Sequence, residues 1–179
     1  MGYWLAKSEP GAYSYADLER EGKTEWSGVH NALALRHLRR MRPEDGLLFY
    51  HSGAERAVVG VARIAGRPHP DPADDRGSWS VEVRPVRPLR GAVTLAELRG
   101  DPALDGLALL RFSRLSVMPV SPGQWRAILA HEPGARARPS AAHGRPRGSR
   151  SSQRAKRTFC WLPPLSVATG CRSPVARMA

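Results

Sequence analysis

Four short clusters of polar side chains in this chain each follow an apolar segment. They are residues 7–10 (Lys-Ser-Glu-Pro), 26–31 (Trp-Ser-Gly-Val-His-Asn), 49–52 (Phe-Tyr-His-Ser) and 113–117 (Ser-Arg-Leu-Ser-Val). Serine and asparagine side chains both donate and accept hydrogen bonds, and an aromatic ring offers a flat apolar surface. If the four clusters meet, they form a site suited to a flat polar molecule such as a nucleobase.

The side chains divide by the contact that each would make with such a molecule. Trp26 is the candidate stacking surface, and stacking on an aromatic ring contributes about 1–3 kcal/mol per base. Asn31 offers both a donor and an acceptor to the base edge. Three serines are adaptable hydrogen-bond partners: Ser8, Ser52 and Ser116. Three apolar residues would contact an added methyl group: Leu115, Val117 and Pro119. Three cationic residues would hold phosphates: Lys7, Arg36 and Arg39.

Most of these residues have a structural alternative that the sequence leaves open. Trp26 fits a packed core, because tryptophan is buried on average. Asn31 fits the N-cap of the following helix. His51 fits a satisfied interior histidine, and Lys7 and Glu9 fit a pair with each other. A solvated helix face would account for three arginines: Arg36, Arg39 and Arg40.

An enzyme acting on nucleic acid is the main alternative class, with Ser8, Glu9 and His51 as a hydrolytic set. The first 133 residues contain no cysteine, nucleophile elbow, glycine-rich phosphate loop or HExxH sequence. Three aspartates lie in a proline-rich loop typical of a solvated turn rather than a metal site: Asp71, Asp74 and Asp75. We therefore expect a binding module without metal or cofactor. A scaffold protein that binds through a basic tail is a third class.

Charge is distributed unevenly along the 179 residues. Residues 1–133 contain 18 Lys and Arg against 16 Asp and Glu, a net charge of +2, whereas residues 134–179 contain 10 against none. The second segment also lacks hydrophobic periodicity and holds both cysteines, Cys160 and Cys171. We predict a folded domain at 1–133 and a basic, disordered tail at 134–179. Either a nucleic-acid arm or a non-native reading frame would account for that tail.

Strands and helices alternate in the predicted order of elements. Apolar runs and alternation predict five strands, at 3–5, 47–51, 57–64, 79–86 and 113–120. Capping residues and helical spacing predict four helices, at 13–20, 32–41, 94–98 and 121–130, and residues 107–112 fit either state. This pattern predicts an α+β fold, with a curved mixed sheet or pseudo-barrel of about five to six strands and short flanking helices.

No leader sequence or long apolar run is evident, which predicts a cytoplasmic protein, or a nuclear one in a eukaryote, with no membrane contact. We also expect a monomer.

Five sequence strings, at residues 3–10, 26–31, 49–52, 58–61 and 113–120, together resemble the EVE domain family over residues 2–131. The resemblance implies a PUA-like fold and a pocket for a modified base, such as a methylated or hydroxymethylated one, in DNA or RNA. The implied pocket residues are Lys7, Ser8, Glu9, Pro10, Trp26, Val29, His30, Asn31, Tyr50, His51, Ser52, Leu115, Ser116, Val117 and Pro119. The implied phosphate contacts are Lys7, Arg36, Arg39 and Arg114.

The second polar cluster and the helix that follows it depart from the family pattern. His30 stands where the family usually has arginine, and residues 34–37 (Ala-Leu-Arg-His) replace its usual Ala-Arg-Asn. One cationic contact is therefore lost or made titratable. Since histidine gains charge near pH 6.5, this predicts tighter nucleic-acid binding at lower pH.

Overall fold

Eight strands and five helices make up the part of the chain that this computed structural model describes, residues 1–134 and the strand at 176–177. The strands are β1 (Tyr3–Ser8), β2 (Thr24–Ser27), β3 (Gly46–His51), β4 (Ala57–Ile64), β5 (His69–Pro70), β6 (Trp79–Thr94), β7 (Val117–Pro119) and β8 (Ala176–Arg177). The helices are α1 (Tyr15–Glu21), α2 (Ala32–Leu38), α3 (Leu95–Arg99), α4 (Ala108–Arg111) and α5 (Pro122–Ala130). The prediction for the rest of the tail lies outside the described residues.

One mixed sheet joins these strands in the order β7-β1-β3-β4-β6-β2-β8, and β5 pairs with β6. The β1–β3 and β2–β8 pairs are parallel, and the other pairs are antiparallel. The ladder between β4 and the long strand β6 shifts register twice, at 58–60 and at 61–62. Such irregularities bend a strand and increase its twist, so the sheet curls. This architecture confirms the predicted α+β fold with a curved mixed sheet.

The central strand β3 is buried on both faces, since all six of its residues are buried. Alternation places Leu47, Phe49 and His51 on one face, and Leu48 and Tyr50 on the other. The first face packs against the ring of Tyr15 from α1, while α5 covers the second face near Gly46. We call these the inner face and the helix face.

Tyr15 reaches the sheet because β4 has a glycine beneath its ring. A Cβ atom at Gly60 would overlap the Tyr15 ring, so a side chain there is excluded. The Tyr15 hydroxyl donates to the Val61 carbonyl at 2.8 Å. Burial raises the pKa of Tyr15 to about 12. This contact fixes α1 across the sheet, close to the end of β3.

The predicted helices are confirmed, and their caps explain where they begin. Capping boxes start α1, α3 and α5, and Gly22 ends α1 in the left-handed conformation. In each box the N-cap hydroxyl and the third helical side chain satisfy backbone N–H groups that the helix itself leaves unpaired. Residues 107–112, which fitted either state, form the short helix α4.

Three strand predictions differ from the structure, and β2 was not predicted. The strand predicted at 3–5 continues to Ser8, so Lys7 and Ser8 belong to β1 rather than to a loop after it. A strand was predicted at residues 79–86, but β6 continues to Thr94 because Pro85 and Pro88 pair at the irregular positions of the ladder, where an N–H is not needed. Residues 113–120 were expected to be one strand, but only Val117–Pro119 is. The preceding residues form a turn, because Lys7 binds the carbonyls of Phe112 and Ser113.

In the part of the chain that the structure describes, no helix combines the length and the apolar character that crossing a membrane requires.

Candidate functional site

Three of the four polar clusters meet at the ends of β1 and β3. The Ser8 carbonyl accepts hydrogen bonds from the Ser52 N–H at 2.7 Å and from the Ser52 hydroxyl at 3.1 Å. The Lys7 N–H donates to the Ser116 carbonyl at 2.8 Å. These backbone contacts hold residues 7–10, 49–52 and 113–117 together at the edge of the sheet where the strands β1 and β3 end.

Lys7 positions the turn that leads into β7. Its ammonium group donates to the Ser113 carbonyl at 2.7 Å and to the Phe112 carbonyl at 3.4 Å. Burial lowers the pKa of Lys7. It does not pair with Glu9, which is exposed. Since two of the three ammonium protons are directed at carbonyls, the phosphate contact predicted for Lys7 would use the third.

Tyr50 lies on the same face as Lys7, because the two residues are aligned neighbours in parallel strands. Its ring is buried, and burial raises the pKa of its hydroxyl while nearby Arg56 and Arg99 oppose that rise. Lys7 and Tyr50 therefore belong to the helix face, with two further cations close to them.

Ser8 and His51 are aligned on the inner face instead. The Ser8 hydroxyl donates to the Tyr13 carbonyl. His51 Nε2 accepts the Tyr15 N–H at 3.0 Å, and Nδ1 contacts the Glu55 carboxylate at 2.6 Å. Both ring nitrogens are thus engaged, as expected of a satisfied interior histidine. The hydrolytic alternative loses its base, since the Nε2 lone pair is committed to a backbone N–H.

The Phe49 ring on the inner face is surrounded by three other rings. Tyr15 and Trp26 contact it edge-on with centroids 5.4 Å away, and His51 does so at 5.6 Å. Trp26 is 1% exposed, so in this structure its indole face is covered, as the core alternative expects. Its Nε1–H is buried and has no acceptor within the described residues. The predicted contact of Trp26 with a base stays a prediction.

The second cluster continues from Trp26 to the start of α2. The buried Val29 carbonyl accepts the Ser78 hydroxyl at 3.1 Å, and His30 Nδ1 lies 3.4 Å from Asp74 Oδ2. Asn31 Oδ1 accepts the N–H groups of Leu33 and Ala34, which makes Asn31 the N-cap of α2. Asn31 itself is exposed, and its side-chain hydrogen bonds within residues 1–134 use only the amide oxygen.

The predicted phosphate-binding arginines are all exposed: Arg36, Arg39 and Arg114. The Arg39 guanidinium lies over the Trp79 ring, 4.7 Å from its centroid. Trp79 is half-buried and supports this cation on the surface. Arg36 and Arg114 have no ion-pair partner within residues 1–134.

The remaining predicted site residues differ in exposure. Leu115 and Val117 are buried, whereas Pro119 is exposed and pairs with Trp4, two residues beyond the Ala6–Val117 pair. Pro10 is half-buried. Pro119 thus lies farther from the end of β1 than the other predicted methyl contacts.

Other polar groups have roles apart from this edge of the sheet. The side chains of Asp71 and Asp74 accept N–H groups two residues ahead, which is the turn role expected from the sequence. Among the described residues, no three His, Cys, Asp or Glu side chains form a metal-binding group. A surface depression of about 340 Å³ elsewhere is lined by Glu44, Arg63, Ala65, Arg84, Pro85 and Val86.

Three residues near this edge were missed by the sequence analysis. Tyr13 and Tyr15 receive and supply the hydrogen bonds of Ser8 and His51, and their signal was the capping box that brings α1 onto the sheet. Phe112 is 50% exposed, and its signal was an aromatic residue between Arg111 and the Ser-Arg that follows.

Comparisons with known proteins agree with the sequence strings described above. The EVE domain family model matches residues 2–131. Thymocyte nuclear protein 1 of Rattus norvegicus is 33% identical over 166 residues, which cover 73% of this chain and 73% of the rat protein. The structure of Rpa0253 from Rhodopseudomonas palustris is 36% identical with a TM-score of 0.70, covering 74% of this chain and 93% of that one.

A related crystal structure contains a ligand. It is human thymocyte nuclear protein 1 in complex with DNA containing 5-methylcytosine, 27% identical to this chain with a TM-score of 0.65, covering 73% and 96% of the two chains. The ASCH protein of Zymomonas mobilis, at 9% identity and a TM-score of 0.51, shares the fold alone.

Proposed function

This chain belongs to the EVE domain family, and on that premise we propose that it binds nucleic acid carrying a modified base, with DNA containing 5-methylcytosine as the first candidate. The observation that carries the proposal is the human relative crystallised with such DNA. The identity between the two chains is modest, so the proposal also depends on whether the residues present here suit the ligand.

Unused hydrogen-bond donors support the proposal. Trp26 Nε1 and the Asn31 amide nitrogen, five residues apart, have no acceptor within the described part of the chain. Of the two, only the Trp26 N–H is buried, and a buried donor without a partner costs about 1–3 kcal/mol, which a ligand acceptor would recover. The exposed Asn31 amide adds a second donor without that cost. Cytosine offers two acceptors on its pairing edge, the ring nitrogen and the carbonyl oxygen, so it matches this surplus of N–H groups. We assign the base to the inner face beside α2.

Exposed cations on α2 and on the turn before β7 support a polyanionic ligand. Arg36, Arg39 and Arg114 are exposed, and residues 1–134 offer Arg36 and Arg114 no acidic partner. Because the net charge of the first 133 residues is only +2, attraction of nucleic acid to the domain depends on where unpaired arginines lie rather than on overall charge.

The test is a binding titration followed by fluorescence anisotropy. Oligonucleotides of one sequence carry cytosine, 5-methylcytosine, 5-hydroxymethylcytosine or N6-methyladenine, each as DNA and as RNA. We expect 5-methylcytosine DNA to bind at least about 10-fold more tightly than its unmodified counterpart, since one methyl group in an apolar pocket contributes that much discrimination. Equal affinity for all the oligonucleotides would refute the proposed function.

Asn31 allows a matched pair of variants. Aspartate caps helices as well as asparagine does, so Asn31→Asp preserves α2 while it removes the amide donor and adds a negative charge. Ser121→Asp adds the same charge at the N-cap of α5, at the opposite end of β1. We expect weaker binding by the first variant and unchanged binding by the second, with similar melting temperatures. Unchanged binding by Asn31→Asp would place the base elsewhere.

A further inference from the structure

Phe112 is the most exposed aromatic side chain within residues 1–134. Its ring is 50% exposed, whereas the other large exposed apolar residues in this range are aliphatic: Met1, Leu33 and Val86. It lies directly after α4, in the turn that crosses the end of β1. The helices α4 and α2 both pack against β7, so Phe112 and the proposed base site beside α2 border the same strand, and the ring has no covering partner in this part of the chain.

The backbone that carries Phe112 is held in place on both sides. The Phe112 N–H donates to the Ala108 carbonyl at 2.9 Å, and its own carbonyl accepts the Leu115 N–H at 3.4 Å. Lys7 adds hydrogen bonds to the carbonyls of Phe112 and Ser113. Leu115 is buried and anchors the turn in the core. The ring is thus presented on a fixed support rather than on a free loop.

Two arginines flank the ring. Arg111 and Arg114 are exposed, and neither has an ion-pair partner within residues 1–134. An exposed aromatic ring with unpaired cations one and two residues away in the sequence complements a nucleic-acid duplex, in which stacked bases lie between two rows of phosphates. Proteins that open a base stack commonly insert an apolar side chain between base steps.

We infer that Phe112 is a wedge that enters the DNA base stack where the modified base is flipped out, while Arg111 and Arg114 hold the flanking phosphates. This inference rests on the proposed function. A base within a duplex has to leave the stack to reach a pocket, and the gap that it leaves destabilises the duplex. A ring placed in that gap restores the stacking contact that the flipped base has lost.

The test compares two DNA probes, a duplex with one central 5-methylcytosine and the same methylated strand alone. The wedge is needed only where a gap forms, so we expect Phe112→Ala to weaken binding of the duplex about 10-fold and binding of the single strand by less than about 2-fold. Phe112→Tyr keeps a stacking ring and should bind both probes as the unaltered protein does. Val86→Ala, at a second half-exposed apolar position, is the matched control.

Each outcome of this test has one interpretation. Unchanged duplex binding by Phe112→Ala, or an equal loss on both probes, overturns the wedge while the proposed function stands. Failure of the unaltered protein to prefer either methylated probe over its unmodified counterpart refutes the proposed function, and the wedge with it. The half-exposed ring makes little contribution to packing, and a melting temperature for each variant checks that the fold is intact.

The arginines have a separate readout in the salt dependence of duplex binding. Each phosphate contact contributes about 0.9 to the slope of log affinity against log salt concentration. We expect Arg111→Gln and Arg114→Gln each to reduce the slope by about that amount. An unchanged slope in both variants would overturn their assignment to the flanking phosphates.

Discussion

Trp26 was predicted either to stack on a base or to pack in the core, and the two roles predict opposite effects of its removal on stability. Its indole is 1% exposed and packs edge-on against Phe49, so truncation to alanine would leave a large cavity in the core. We expect Trp26→Ala to reduce the free energy of unfolding by about 3–5 kcal/mol, measured by denaturant titration. A loss below about 1 kcal/mol would show that the indole is not part of the core.

Trp26→Phe separates packing from recognition at the same position. It keeps an aromatic ring and removes the Nε1–H, which has no acceptor among the described residues, so stability should fall far less than in the alanine variant. If that N–H serves the base, binding of methylated DNA should still weaken. Comparing the loss of stability with the loss of DNA binding in Trp26→Ala and Trp26→Phe therefore separates the contribution of the indole to packing from its contribution to recognition.

Other residues at the site show what the sequence could predict. Asn31 was expected either to cap α2 or to bind a base, and the capping role is now established by two hydrogen bonds. His51 was expected to be a satisfied interior histidine, and its partners Tyr15 and Glu55 confirm it. The hydrogen bonds of the Lys7 ammonium group could not be predicted, because their acceptors lie 105 and 106 residues away along the chain.

At the scale of elements, local chemistry explains which predictions succeeded. The helix starts at α1, α3 and α5 each depend on residues within four positions of one another, so the sequence alone determines them. The length of β6 and the turn before β7 depend on distant partners, namely β4 and Lys7. Elements whose boundaries are set by tertiary contacts cannot be predicted from a local pattern.

The capping box of α1 carries a prediction of pH dependence. Hydrogen bonds from Ser14, with Arg20 nearby, lower the pKa of Asp17 from 3.8 to about 2. A carboxyl group whose pKa is lower in the folded state stabilises the fold above its unfolded pKa, and this stability is lost as pH falls through the folded value. The contribution of Asp17 should therefore disappear between about pH 4 and pH 2.

Asp17→Asn tests this at one position. The variant removes the titrating charge while it keeps an acceptor for the cap, so at pH 7 we expect a loss of about 0.3–1 kcal/mol in the free energy of unfolding. Urea unfolding at a series of pH values should show the two proteins converging as pH approaches 2. A difference that stays constant across that range would contradict the role assigned to the Asp17 charge.

For the whole molecule, the fold was easier to predict than the site. Apolar runs and turn residues specify a curved mixed sheet, whatever the side chains at its edge do. The site depends on which face each side chain takes, and β-strand alternation separates Lys7 and Tyr50 from Ser8 and His51, which the sequence analysis had grouped in one pocket. Neighbouring residues in a motif were read as sharing a cavity, although successive residues of a strand point in opposite directions.

One buried carboxylate, that of Glu132, attaches the residues after α5 to the sheet. Glu132 is 6% exposed and accepts both Nη groups of Arg87 at 2.8 Å and the Arg90 N–H at 2.7 Å. The hydrogen bonds from Arg87 lower the pKa of Glu132. These contacts tie the residues after α5 to the middle of β6, so the last described residues of the body are part of the folded unit.

This closure predicts where the chain can be shortened. A protein ending at Gly134 keeps Glu132 and loses only the two-residue edge strand β8 beside β2, so we expect it to unfold at nearly the same denaturant concentration as the full chain. A protein ending at His131 loses the carboxylate, and Glu132→Gln weakens its charged hydrogen bonds. Each change should lower the free energy of unfolding by about 1–3 kcal/mol.

Methylated-DNA binding by the protein ending at Gly134, measured at low and high salt beside the full chain, tests the basic tail separately. Affinity equal to that of the full chain at each salt concentration would exclude a role as a nucleic-acid arm, whereas a loss relative to the full chain that is confined to low salt would support one.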